Sequence, residues 1–155
     1  MYNRIWSRKE LTSQRLGTFC EYYAKMSLSS YGISVYTSVV DDQGVDFIAQ
    51  IKGNFLKMQV KAVRQGTDYV FVRKKYFDNQ DAYMYMVLML LTDGYEPDIY
   101  LIPSSAWKKP EDKVFVDRDY DGRKSQPEYG INLSPKNRYR LEPYRLETML
   151  NMMME

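Results

Sequence analysis

The spacing of apolar residues divides the chain into one helix followed by a series of strands. From about Lys9 to Tyr31, apolar and small residues recur every three or four positions, which predicts a helix with one packing face. Gly32 is expected to end that helix, because glycine readily adopts positive φ. The residues that share the packing face are Leu16, Gly17, Cys20, Ala24, Leu28 and Tyr31.

Alternating apolar and polar residues then predict three consecutive strands. Ile33 to Val40 is the first, Val45 to Ile51 the second and Phe55 to Val63 the third. A turn at 41–44 separates the first two, and a tight reversal at 52–54 makes a hairpin of the last two.

The rest of the chain carries weaker patterns. Tyr83 to Leu91 is a continuous apolar run, and its length favours a buried strand over a helix. The region 110–135 is rich in Asp, Gly, Arg and Pro and is expected to be irregular, apart from a short strand at 114–116. The other predicted elements are a strand at 68–73, a short helix or turn at 74–81, a strand at 98–102, a helical turn at 104–108 and a closing helix at 141–153.

Side-chain alternation in the third strand places candidate chemistry on one face. Gln59 and Lys61 point the same way, whereas Val60 turns its side chain away and leaves its backbone carbonyl available as a ligand. Asp46 begins the preceding strand, so the hairpin can direct a carboxylate, an amide oxygen and an ammonium at one point. Oxygen ligands around a hard cation, with a lysine beside them, suit metal-dependent phosphodiester hydrolysis.

Composition excludes several other kinds of site. The chain has 155 residues and is expected to form one domain, 1–155, of ordinary globular composition. It contains no histidine, which removes the Ser-His-Asp triad and histidine zinc sites. Its single cysteine, Cys20, cannot form an internal disulfide and is interpreted as an inert core residue. No apolar run is long enough for a membrane span, and a cytoplasmic location is the default expectation.

The net charge of +2 neither demands nor forbids a nucleic-acid partner. Local basic clusters could contact phosphates, although solvated surface explains most such clusters. Tyrosines such as Tyr22, Tyr23, Tyr69 and Tyr129 are interpreted as packing residues rather than base-stacking platforms. The basic clusters are Arg73-Lys74-Lys75, Lys108-Lys109, Arg123-Lys124, and Lys136 with Arg138 and Arg140.

The order of these motifs resembles the PD-(D/E)XK nuclease superfamily, and within it the small enzymes akin to Holliday-junction resolvases. The matching segments are 17–32, which carries Glu21, then 42–47 with Asp46, then Met58-Gln59-Val60-Lys61. The resemblance covers less than half of the chain. It implies an α/β fold of the restriction-endonuclease type, with a mixed central sheet flanked by helices and an α-β-β-β-α-β core.

The resemblance also implies roles. Asp46 would be the central ligand of Mg²⁺ or Mn²⁺, with Gln59 at the family's acidic position and the Val60 carbonyl beside it. Lys61 would orient the attacking water, and Glu21 resembles a helix-borne acid that completes the site in some branches. Gln59 departs from the common pattern because it carries no charge, unless Glu21 or Asp42 compensates. Asp42 is otherwise interpreted as a turn residue.

The resemblance implies cleavage of DNA, and C₂ pairing of two active sites in a homodimer. Two alternatives remain open. One is a decayed nuclease-fold module that binds nucleic acid or a protein, and the other is an α/β interaction domain in which the motif is accidental.

Overall fold

The computed structural model describes residues 4–37, 44–108 and 113–155. Two α-helices, eight strands and three 3₁₀ segments lie within these ranges. In chain order they are α1 Ser13–Ser30, β1 Ser34–Tyr36, β2 Phe47–Ile51, β3 Asn54–Arg64, β4 Tyr69–Arg73, a 3₁₀ segment Lys74–Tyr76, β5 Met84–Leu91, β6 Asp98–Pro103, a 3₁₀ segment Ser104–Trp107, β7 Phe115–Arg118, β8 Glu128–Asn132, a 3₁₀ segment Arg138–Tyr144 and α2 Leu146–Met153.

Helix α1 begins four residues later than the apolar spacing predicted. The Thr12 side chain accepts a hydrogen bond from the backbone N–H of Arg15, so Thr12 is the N-cap and the helix starts at Ser13. The predicted end is confirmed, because Gly32 has a φ of +79° immediately after the helix. The packing face therefore runs through Leu16, Cys20, Ala24 and Leu28, all of which are buried.

The predicted hairpin is present as β2 and β3. Lys52 and Gly53 form its two-residue turn, and both have positive φ, the conformation that two-residue hairpin turns prefer. The register pairs Phe47 with Met58 and Ile51 with Asn54. The predicted strand at 33–40 is seen as β1 over Ser34–Tyr36, and residues 38–43, which include most of the predicted turn at 41–44, lie outside the described residues.

The central sheet has the order β1-β2-β3-β5-β6, in which only β3 and β5 are parallel. One face packs against α1 and α2, and the buried residues there include Met58 and Val87. The opposite face carries Met86 and Leu88, and it packs beneath a second sheet with the order β4-β8-β7. Strand β5 is covered on both faces, which explains its nearly continuous apolar sequence.

The expectation of an irregular region at 110–135 was wrong, because β8 occupies 128–132 at the centre of the second sheet. Its sequence hides the strand, since glycine and a glutamate interrupt the apolar pattern. Gly130 is needed because the Tyr69 ring lies across it, and the indole N–H of Trp107 donates to the Gly130 carbonyl. The short strand predicted at 114–116 is present as β7, displaced to Phe115–Arg118.

The closing helix is shorter than predicted. Pro143 lies within the 3₁₀ segment, and Arg145 takes an extended conformation, so α2 starts only at Leu146. Within the described ranges, neither helix is both long and apolar enough to cross a bilayer.

A pair of glycine substitutions tests the packing of the second sheet. A Cβ at Gly130 would lie 2.1 Å from the Tyr69 hydroxyl, so Gly130→Ala should lower the free energy of unfolding by about 1–3 kcal/mol. At Gly17, in the middle of α1, no atom of the described residues lies within 4 Å of the corresponding Cβ. Gly17→Ala should therefore raise the free energy of unfolding by about 0.5–1 kcal/mol. Urea unfolding followed by circular dichroism measures both, and equal effects of the two substitutions would contradict this packing.

Candidate metal centre

Asp46 stands at the point where β2 begins to pair with β3. Its backbone N–H donates to the Met58 carbonyl at 2.9 Å, and its carboxylate Oδ2 accepts the Val60 N–H at 2.7 Å. The carboxylate thus takes the place of a backbone acceptor where the ladder with β2 ends. This bond fixes the Asp46 side chain against β3.

Gln59 lies between Met58 and Val60, the two residues whose backbone groups hydrogen-bond to Asp46. Met58 packs on the α1 face of the central sheet, so strand alternation directs Gln59 toward the opposite face. Gln59 is only 7% exposed, and its Oε1 has no hydrogen-bond partner among the described residues. A buried amide oxygen without a partner is costly, and such an atom is a candidate ligand for a cation.

The Val60 carbonyl points toward the same edge of β3. The N–H of Lys57 donates to Tyr83, just before β5, at 2.7 Å, and the N–H of Gln65, just after β3, donates to Leu91 at 2.8 Å. The odd-numbered residues of β3 therefore direct their backbone groups toward β5. The even-numbered residues therefore face the β2 side, as the Val60 N–H does. Because β2 begins only at Phe47, the Val60 carbonyl faces an edge without a ladder partner from β2.

Lys61 shares the face of Gln59. Burial lowers the pKa of its ammonium, and the nearby Asp46 carboxylate opposes that shift. No hydrogen bond or ion pair links Lys61 to another residue in the described ranges, whereas Lys57, two positions before Gln59 on the same face, pairs with Asp81. Lys61 is thus a partly desolvated cation beside a single carboxylate.

Glu21 lies on helix α1, which packs against the other face of the central sheet. Its carboxylate forms an ion pair of 3.5 Å with Lys25, whose Nζ also donates to Thr37. The role of Glu21 as a further ligand stays a prediction, and it would require the ion pair with Lys25 to open. Asp42 lies outside the described residues.

A groove of about 300 Å³ opens beside Lys61 along the free edge of β3. Ser13 and Gly17 of α1 form one side, and Tyr69 of β4 forms part of the other. Sequence reasoning missed the contribution of Tyr69, because only the tertiary fold places β4 next to β3. The absence of a side chain at Gly17 leaves this side of the groove open.

Two solved structures share this architecture over most of their length. The bacterial homing endonuclease I-Ssp6803I is 16% identical, with a TM-score of 0.52 over 92% of this chain and 91% of its own. Hjc, a Holliday junction resolvase from Archaeoglobus fulgidus, is 9% identical, with a TM-score of 0.53 over 87% of this chain and 95% of its own. This chain has the restriction-endonuclease-like fold. The sequence itself matches no family model and no curated protein.

The resemblance inferred from the sequence is thus confirmed for the restriction-endonuclease-like fold, with its mixed central sheet flanked by helices. One connection differs from the α-β-β-β-α-β order that the resemblance implied, although the strand at 68–73 and the short helix or turn after it were predicted. Between the parallel strands β3 and β5, the chain passes through β4 and a three-residue 3₁₀ segment, and β4 then pairs with β8 in the second sheet.

The chemistry of the donors fits Mg²⁺ or Mn²⁺. The Asp46 carboxylate, the unpartnered Gln59 Oε1 and the Val60 carbonyl are all oxygen donors, which hard divalent cations prefer. The charge of this set is low, since no group of three or more acidic, histidine or cysteine side chains that could hold a metal occurs within the described ranges. One carboxylate and two neutral oxygens would hold a single cation with waters completing its shell.

Replacing Lys61 with methionine tests its desolvation. Since the folded state lowers the pKa of Lys61 below 10.5, its protonated form is disfavoured there, and Lys61 costs stability below its folded pKa. Lys61→Met should therefore be more stable than wild type at pH 7, and the difference should shrink as pH approaches 10.5. Lys57→Met is the control on the same face and should give no gain, because it breaks the pair with Asp81. Denaturant titrations at several pH values decide, and a gain from Lys61→Met that is independent of pH would contradict the assignment.

Proposed function

We propose that this protein is a metal-dependent nuclease that hydrolyses DNA phosphodiester bonds. The observation that carries the proposal is the unpartnered, buried Oε1 of Gln59, which lies next to the bond between Val60 and Asp46 and on the same face as Lys61. The restriction-endonuclease-like fold supports it, because both neighbours of known structure are named as DNA-processing enzymes.

Each residue has a distinct part in the proposed reaction. Asp46, Gln59 Oε1 and the Val60 carbonyl would hold Mg²⁺ or Mn²⁺. The bound cation would lower the pKa of a coordinated water and neutralise charge on a phosphate oxygen. The Lys61 ammonium would position the attacking water in line with the leaving oxygen and stabilise negative charge that develops on the phosphorus group. Because burial lowers its pKa, Lys61 also gives up a proton more readily than a surface lysine.

The second candidate function is a module with the same fold that does not catalyse hydrolysis. Gln59 is neutral where the resemblance places an acid, and the Glu21 carboxylate is paired with Lys25. These two observations favour a module that binds nucleic acid or a protein partner without cleaving. The candidates differ in whether a divalent cation binds at Asp46, which a direct titration can measure.

Substitutions at Gln59 should change metal binding in opposite directions. Gln59→Glu adds a carboxylate at nearly the same reach and should tighten Mg²⁺ binding by about 1 kcal/mol or more. Gln59→Leu removes the oxygen and should weaken binding, and Asp46→Ala should abolish it. Lys61→Ala should spare metal binding and suppress cleavage, because lysine acts on the water and the phosphate. Calorimetric Mg²⁺ titration measures the first three, and unchanged affinity in both Gln59→Glu and Asp46→Ala would mean that no metal site exists here.

Cleavage assays complete this test. Branched, linear and single-stranded DNA are incubated with Mg²⁺ or Mn²⁺, and wild type is compared with Asp46→Ala and Lys61→Ala. Metal-dependent cleavage by wild type alone supports the nuclease. DNA binding without cleavage by the metal-loaded wild type supports the binding module instead.

The proposal takes residues 1–155 as one nuclease-like domain that acts in the cytoplasm as a homodimer, so that two sites address the two strands of DNA. Sedimentation should give a dimer at micromolar protein, with or without DNA. A monomer under both conditions would contradict the dimer while leaving the single-site chemistry untouched.

A further inference from the structure

The outer face of the second sheet carries arginine and aromatic side chains in alternation. Along β4, Val70 and Val72 pack inward, so Tyr69, Phe71 and Arg73 project outward. Arg118 of β7 pairs in register with Glu128, which pairs with Arg73, and it therefore shares this outer face. We call Tyr69, Phe71, Arg73 and Arg118 the arginine–aromatic surface.

Both guanidinium groups of this surface lie over aromatic rings. Arg73 Cζ is 4.9 Å from the centroid of Phe71, and Arg118 Cζ is 4.7 Å from that of Tyr69. The two rings are nearly parallel, with an interplanar angle of 25° and centroids 6.2 Å apart. A guanidinium on a ring face is held in place while its in-plane N–H donors can bind an oxyanion.

A buried carboxylate, Glu128, lies between Arg73 and Arg118 on the same face of the sheet. Glu128 is 4% exposed, accepts a hydrogen bond of 2.5 Å from the Tyr69 hydroxyl and lies 3.8 Å from Arg73 Nη1. The one negative charge of Glu128 thus neutralises only part of the two positive charges of Arg73 and Arg118. The arginine–aromatic surface therefore keeps a net positive charge. The nearby Asp117 and Asp119 form ion pairs with Lys74. Asp117 is opposite Tyr129 in the register, so its position belongs to the inner face of the second sheet.

The arginine–aromatic surface continues from the candidate metal centre. Tyr69 lines the groove that also contains Lys61, and Arg118 lies over the Tyr69 ring. Phe71 and Arg73 follow at alternate positions of the same strand, roughly 7 Å apart for each two-residue step. Arg118 and Arg73 lie in one cross-strand row, on either side of Glu128, so a chain of phosphates that leaves the groove at Lys61 would meet both.

We propose that the arginine–aromatic surface holds the sugar–phosphate backbone of a nucleic-acid strand next to the site of cleavage, with Arg118 and Arg73 each contacting a phosphate. This inference rests on the proposed function and specifies how the substrate is held. The planar fork of arginine matches two phosphate oxygens, and the stacked rings fix that fork before the strand binds. Within the sequence cluster Arg73-Lys74-Lys75, Arg73 is thus the proposed phosphate contact, whereas Lys74 is already neutralised by Asp117 and Asp119.

The test is binding of fluorescein-labelled DNA, as linear duplex and as single strand, measured by anisotropy in Ca²⁺ over a range of KCl concentrations. Arg118→Gln should weaken binding several-fold near 100 mM KCl and reduce the slope of log K against log [KCl] by about 0.9 for duplex, or about 0.7 for single strand. Arg73→Gln should do the same. Arg145→Gln is the matched control, since Arg145 also stacks on a ring and pairs with carboxylates, but beside the far edge strand β6.

Arg118→Gln leaves the bond between Tyr69 and Glu128 in place, so it should fold, and thermal unfolding verifies this for each variant. Arg118→Lys keeps the charge and should keep the salt slope, which separates phosphate contact from a purely structural effect. Wild-type binding with unchanged affinity and slope in both glutamine variants would overturn the arginine–aromatic surface and leave the nuclease proposal standing. Absence of any DNA binding by wild type would overturn both.

Discussion

The candidate site depends on the hydrogen bond from the Val60 N–H to the Asp46 carboxylate. Strand β3 is eleven residues long, whereas β2 pairs with only its first five. Where β2 has not yet begun, the Asp46 side chain supplies the acceptor that a backbone carbonyl would otherwise provide. Because a side chain replaces the backbone acceptor at this point, β2 does not pair with the second half of β3. The Val60 carbonyl therefore faces an edge of β3 that β2 does not cover.

The second constraint is that β5 is buried on both faces. Met86 and Leu88 point away from α1 and need a second apolar layer, which β4, β7 and β8 provide together with Trp107. Because β4 belongs to the connection between the parallel strands β3 and β5, this layer must begin directly beside the end of β3. The same packing requirement therefore brings Tyr69 to the groove that holds Lys61.

The sequence predicts the features that follow from local rules. Alternation along β3 places Gln59 and Lys61 on one face, and the glycine in the Lys52-Gly53 turn marks the hairpin that aligns them with Asp46. The structure agrees with this geometry, whereas the catalytic and metal-binding roles of these residues remain predictions.

The features that the sequence did not reveal depend on tertiary contacts. Strand β8 forms because Gly130 accommodates the Tyr69 ring, which no local pattern indicates. Glu21 has the helical position expected of an additional ligand, but Lys25, one turn later, pairs with it instead. In the first case a partner distant in sequence determines the outcome, and in the second a residue one turn along the same helix face.

The choice of glutamine at position 59 has a consequence for folding as well as for chemistry. A carboxylate at this position would be almost fully buried beside Asp46, and two adjacent buried carboxylates resist ionising together without a cation. The neutral amide avoids that repulsion, so the fold can form without metal at the cost of one unpartnered oxygen. With Asp46 as the one carboxylate of the proposed ligand set, the low charge of the ligands, rather than the shape of the site, should limit metal affinity.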